Sequence, residues 1–142
     1  MTKVRLTRLL VAVIALIVVL TGCAGNWNRA DLLGTWVHQA STGESAELQL
    51  AEDGTATISS VPRAVLFPTA GGLADVDWSD TVSGSGSWGL DQGGDIVLSI
   101  VDDGGEVIGP KLFVGGSAEV EIYAFVGPAE SAVFRFERDP GD

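Results

Sequence analysis

The chain has 142 residues, nineteen of them glycine, with one cysteine, one histidine and a formal charge of −11. That length is one ordinary domain. One cysteine excludes an internal disulfide, one histidine excludes a His-rich metal centre, and the acidic balance sets the surface against nucleic acid and anionic headgroups.

Lys3, Arg5 and Arg8 precede twelve unbroken apolar residues, Leu9 to Leu20. A basic segment followed by a short apolar run has the form of a secretory signal. A spanning helix needs about 20 apolar residues, so twelve is short. An uncleaved helix with snorkelling arginines is the alternative. The run closes on Leu20-Thr21-Gly22-Cys23. These four residues resemble the lipobox of bacterial lipoproteins: Leu, a small residue, Gly or Ala, then Cys. The resemblance implies cleavage between Gly22 and Cys23 by the lipoprotein-processing machinery. It also implies a diacylglycerol thioether on Cys23 and acylation of the new amino group. Two or three acyl chains anchor stably where one does so marginally. The alternative, a free thiol just past an ordinary cleavage site, would be a liability in an oxidising compartment. The expected location is therefore the cell membrane, lipid-anchored and facing outside the cytoplasm, or the outer membrane where the host has two.

Removing residues 1–22 leaves all nineteen acids but only five bases (Arg29, Arg63, Lys111, Arg135 and Arg138), a formal −14. Residues 23–33 read as the lipidated cysteine and a short tether. Asn28 is an N-cap for one helical turn through Ala30-Asp31-Leu32-Leu33, with Asp31 near its positive end and Gly34 stopping it. The tether from Cys23 to Gly34 spans at most about 35 Å, which holds the domain close to the membrane.

From Gly34 the pattern is strand and turn. Thr35 to Ala40 reads as a first strand. Ala46 to Leu50 alternates with period two, Glu52-Asp53-Gly54 is a hairpin turn, and Thr55 to Ser59 is its partner strand. Val61 to Thr81 carries Pro62, Pro68, Gly71 and Gly72 and reads as a long loop, with Val65-Leu66-Phe67 a brief buried segment. Strands resume at Gly84 to Leu90, Asp95 to Val101, Val107 to Val114, Ala118 to Phe125 and Val133 to Arg138. Between them lie turns at 91–94, 102–105, 115–116 and 127–128. Gly109-Pro110 reads as a bulge or edge feature. Residues 139–142 are a polar tail.

About eight short hairpin-linked strands expose edges unless the sheet closes. The expected fold over residues 34–138 is therefore all-β: one small antiparallel up-and-down barrel, with a two-sheet β-sandwich as the alternative.

Gly34-Thr35-Trp36 and Gly86-Ser87-Trp88 echo one another at an offset of 52 residues. Each is followed by a turn, an apolar strand and an acidic-glycine turn. This reads as two hairpins built alike, with glycine letting the backbone pass beneath a packed indole. The first copy, with the helical turn before it, resembles the Gly-x-Trp motif that opens lipocalins and related calycin barrels. The resemblance implies that Trp36 plugs one barrel end and that an arginine of the last strand packs over it. Arg135 and Arg138 both qualify. The second signature of those families, an aspartate-containing turn with a nearby tyrosine, is not clear here, and the chain is short for a full lipocalin.

His38 has no nucleophile or acid partner at triad spacing and reads as a structural or surface residue. Asp75, Asp77 and Asp80 resemble the start of a calcium loop. Asp80 stands where an EF-hand needs glycine, and Gly86 where it needs glutamate. They remain weak metal candidates against the plainer reading of a solvated loop. No catalytic residue, metal or cofactor is assigned, and the chain is not expected to be an enzyme. The expected function is a lipid-anchored envelope lipoprotein, binding a small apolar or amphipathic molecule in a lipocalin-like barrel. The alternative is a structural protein presenting an acidic surface to an envelope partner.

Overall fold

Ala46, Leu48 and Leu50 are buried while Ser45, Glu47 and Gln49 face solvent. A strand that sorts its side chains this way must lay one face on a core. The computed structural model describes residues 27–67, 76–126 and 132–142. The signal segment with Gly22 and Cys23, the loop residue Asp75 and the 127–128 turn lie outside them.

The strands are β1 (Gly34–Gln39), β2 (Ser45–Leu50), β3 (Thr55–Pro62), β4 (Thr81–Leu90), β5 (Ile96–Asp102), β6 (Val107–Ile108), β7 (Lys111–Gly115), β8 (Glu121–Val126) and β9 (Ala132–Arg138). A helical turn, α1 (Arg63–Leu66), follows β3. Successive strands pair antiparallel except that β6 and β7 both pair with β5, and β1 meets β9 through Trp36 opposite Arg138 and Val37 opposite Glu137. That last pairing closes an eight-stranded antiparallel barrel and removes the sandwich alternative. β6 is an extra piece that extends β7 along β5.

Two irregularities differ from the sequence expectation. Gly109-Pro110 is not a bulge. The register runs in step across it, Ile108 opposite Ile100 and Leu112 opposite Ile96. Pro110 still accepts a bond from the Leu98 N–H at 3.0 Å. The ladder breaks because proline has no N–H to return. The bulge lies instead between Ile58 and Val61 on β3, where the register against β4 shifts. There Ser60 takes a positive φ of 52° and gives its N–H to the Ser83 hydroxyl at 2.9 Å. This bulge carries β3 on to Pro62, past the Ser59 where alternation stops. Its partner β4 correspondingly starts at Thr81 rather than Gly84, and β8 starts at Glu121 rather than Ala118.

Both ends of the barrel are corked. At the end holding Gly34, Leu50 and Arg138, a 3-10 turn (Arg29–Leu32) inserts Leu32 above Trp36. Asn28 and Asp31 cap that turn reciprocally. At the other end α1 crosses the mouth to contact β8 and drives Val65 and Leu66 inward. Between them runs one continuous apolar cluster, with no buried polar or charged side chain among the described residues. An eight-stranded ring is just wide enough for side chains to fill it, and here they do.

Candidate functional site

The corked end is built on Trp36. Gly34 enters β1 with φ of +112°, a conformation that side chains resist. A Cβ there would also lie 3.1 Å from the Asp142 carboxylate and 3.2 Å from the Arg138 guanidinium. The Trp36 indole N–H donates to the Leu32 carbonyl at 2.9 Å. The Arg138 guanidinium sits 4.4 Å over the ring and donates to the carbonyls of Leu33 at 2.7 Å and Asp31 at 2.5 Å. It thus satisfies acceptors that the helical turn leaves open. Asp142 folds back to take the Thr35 N–H at 2.5 Å. The Thr35 hydroxyl and N–H hold that carboxyl below the usual range, with Arg138 adding to the effect.

Arg135 is placed elsewhere. It stands opposite Tyr123 on the outer wall, 3.9 Å from Glu121, and both side chains are exposed. Between the two arginines left open by the sequence, the position over the indole belongs to Arg138.

The second Gly-hydroxyl-Trp copy is built alike. The Trp88 indole N–H donates to the Ala51 carbonyl at 2.9 Å, and Arg29 lies 3.9 Å over its ring. The echo points to Trp88, but nothing in the sequence singles out Arg29, which comes from the tether. Gly86 serves a purpose other than clearing the indole. A Cβ there would fall 1.9 Å from the Ser99 carbonyl oxygen, so glycine lets β4 press against β5.

At the opposite end His38 stacks on Phe134 at 3.7 Å and faces Trp78 at 6.0 Å. Its Nδ1 lies 2.7 Å from the Arg135 carbonyl oxygen, bridging β1 to β9 beyond their two ladder pairs. The three rings wall an open cleft of about 520 Å³, rimmed by Gln39, Thr42 and Glu44. The Thr42 hydroxyl donates to the Glu44 carboxylate and lowers its pKa. A second open cleft of about 720 Å³ lies between Glu119, Glu121, Arg135 and Glu137. The first opens at the barrel mouth, where His38 and Phe134 lie on the inward side of β1 and β9, and the second lies along the outer wall.

In the acidic loop the two described carboxylates, Asp77 and Asp80, have separate partners. Asp77 accepts from the Ser79 N–H and hydroxyl at 2.8 and 2.6 Å, which lowers its pKa. Asp80 instead pairs with Arg63 at 3.2 Å. No group of three or more His, Cys, Asp or Glu among the described residues could share a metal ion. Lys111 is held between Asp91 and Asp95 at 2.7 and 3.1 Å. Comparison with known proteins yields no matching family model, and no match among curated proteins or solved structures.

Proposed function

We propose that this chain is a lipid-anchored lipoprotein of the cell envelope whose barrel works as a non-catalytic interaction module, displaying its outer surface to an envelope partner. The observation that carries the reading is the filled interior. Trp36, Leu48, Ile58, Leu98, Ile122 and Phe134 occupy the space where an open barrel would hold a ligand. With the inside spent on packing, the outside is what remains for recognition. The lipobox Leu20-Thr21-Gly22-Cys23 supports the anchor and a site of action outside the cytoplasm. The Gly34, Trp36 and Arg138 cluster supports a lipocalin-like ancestry for the barrel, but fold likeness alone assigns no ligand.

A second reading has one observation in its favour. The His38, Trp78 and Phe134 cleft combines aromatic walls with a polar rim, which suits a small amphipathic molecule at the mouth rather than inside. One experiment tests the anchor and a second separates the two readings. Cys23→Ala should abolish labelling by radioactive palmitate and release the chain from the membrane fraction; unchanged retention with no label in the wild type sinks the anchor. Crosslinking in intact cells should trap one specific protein partner. Saturable quenching of Trp78 fluorescence by a lipid-like dye, with no protein adduct, would favour the mouth cleft instead.

A further inference from the structure

The outer wall formed by β5 to β8 differs from the wall formed by β2 to β4. The outward positions of β2 to β4 are mostly polar: Glu47 and Gln49 on β2, Thr55 and Thr57 on β3, Ser85 and Ser87 on β4. On this wall Val97 and Val101 on β5, Val107 on β6, Phe113 on β7, and Tyr123 and Phe125 on β8 face outward, interspersed with Ser99, Lys111 and Glu121. The three valines are 42%, 49% and 69% exposed. The three rings form one cluster, with centroids 5.0 to 5.8 Å apart. They pack on one another outside the barrel, and the pleat puts them on the face away from the core. Exposed valines beside a half-buried aromatic cluster on one outer wall mark an interaction surface.

Charge decides what fits it. Between their ends, β5, β6 and β7 carry no outward acid. The turns that bound the wall are acidic: Asp102, Asp103 and Glu106 at one end, Asp91, Asp95, Glu119 and Glu121 at the other. Lys111 neutralises part of the Asp91 and Asp95 pair. No ion pair of the described residues involves Asp102, Asp103 or Glu106. A second copy would set acidic rim against acidic rim, and an anionic bilayer would meet the same repulsion.

We infer that this wall docks a protein partner presenting an apolar strip flanked by lysines or arginines. The inference rests on the interaction-module reading and names its surface and the chemistry of its partner. The test places a photo-crosslinking phenylalanine analogue at Val107, Phe113 or Tyr123 of the full-length chain in cells of its source. Control positions are Gln49 on β2 and Thr42 at the mouth. The wall positions should give one discrete adduct, and its crosslinked peptide should be apolar with basic neighbours. The yield should fall several-fold when extracts are raised from about 0.05 M to about 0.5 M salt, as screening removes the rim attraction. Val107→Asp, at the most exposed position, should reduce the Tyr123 adduct without unfolding the barrel. An adduct of twice the chain mass, a lipid adduct, or equal adducts from Gln49 overturns the proposal. Protein adducts from Thr42 alone overturn the wall but leave an interaction module standing. Adducts from no position overturn both.

Discussion

The Arg138 guanidinium lies 4.4 Å over the Trp36 indole and donates to two carbonyls of the turn that corks the barrel. One side chain thus ties the last strand to the segment before the first. Arg138→Ala should lower stability by about 1–3 kcal/mol, through the lost cation–π contact and two charge-assisted hydrogen bonds. Arg135→Ala should stay within about 0.5 kcal/mol, because its exposed pair with Glu121 is long. Urea unfolding of both variants checks this; equal losses contradict the assignment.

A filled interior responds to volume in both directions. Ala124 faces inward on β8 and is 2% exposed. Ala124→Leu should cost about 1–3 kcal/mol by overpacking, and Leu98→Ala about 2–5 kcal/mol by leaving a void. A barrel with room for a ligand would accept the leucine without loss in thermal melts.

Two glycines with different surroundings should behave oppositely. Gly86→Ala drives a methyl group into the Ser99 carbonyl, whereas a Cβ on Gly89 meets nothing within 4 Å. The first should cost more than about 3 kcal/mol or prevent folding, and the second should stay within about 0.5 kcal/mol. Circular dichroism of the two variants decides the matter.

The acid response follows from the surface carboxyls. Thr35 holds Asp142 below its ordinary 3.8, and Lys111 does the same for Asp91. A depressed carboxyl contributes stability above its unfolded value and loses it as pH falls through the folded one. Lys111 is raised above 10.5 by Asp91 and Asp95, so its contribution is complete below that pH and lost above it. Stability from these exposed contacts should therefore be level across neutral pH and decline below about 3.8. Asp142→Asn should flatten the acid limb of a Tm-against-pH curve; an unchanged limb contradicts the Thr35 latch.

The barrel was legible because the sequence alternates. Leu48 and Leu50 against Glu47 and Gln49, and Phe134 and Phe136 against Arg135 and Glu137, state which face is buried, and the acidic-glycine turns say where strands reverse. The Asn28 cap was equally readable, since capping is local. What escaped depended on contacts distant in sequence. Alternation alone sets Arg135 on the wet face with Glu137, and Arg138 on the side of Phe134 and Phe136, but only the β1–β9 pairing places Arg138 opposite Trp36. Pro62 masked the extension of β3, because the bulge at Ser60 is enabled by the Ser83 hydroxyl across the sheet. The apolar wall hid in plain view. The run Ile96 to Val101 shows no clear alternation, since Val97 and Val101 are apolar on the wet face. Phe113 and Tyr123 become neighbours only once β7 and β8 pair.

We propose that the interior is closed and that recognition belongs to the outer surface. Native mass spectrometry of the chain lacking residues 1–23, purified from cells without detergent, tests it most directly. The spectrum should show the bare polypeptide mass. A stoichiometric apolar ligand that leaves only on unfolding would contradict it.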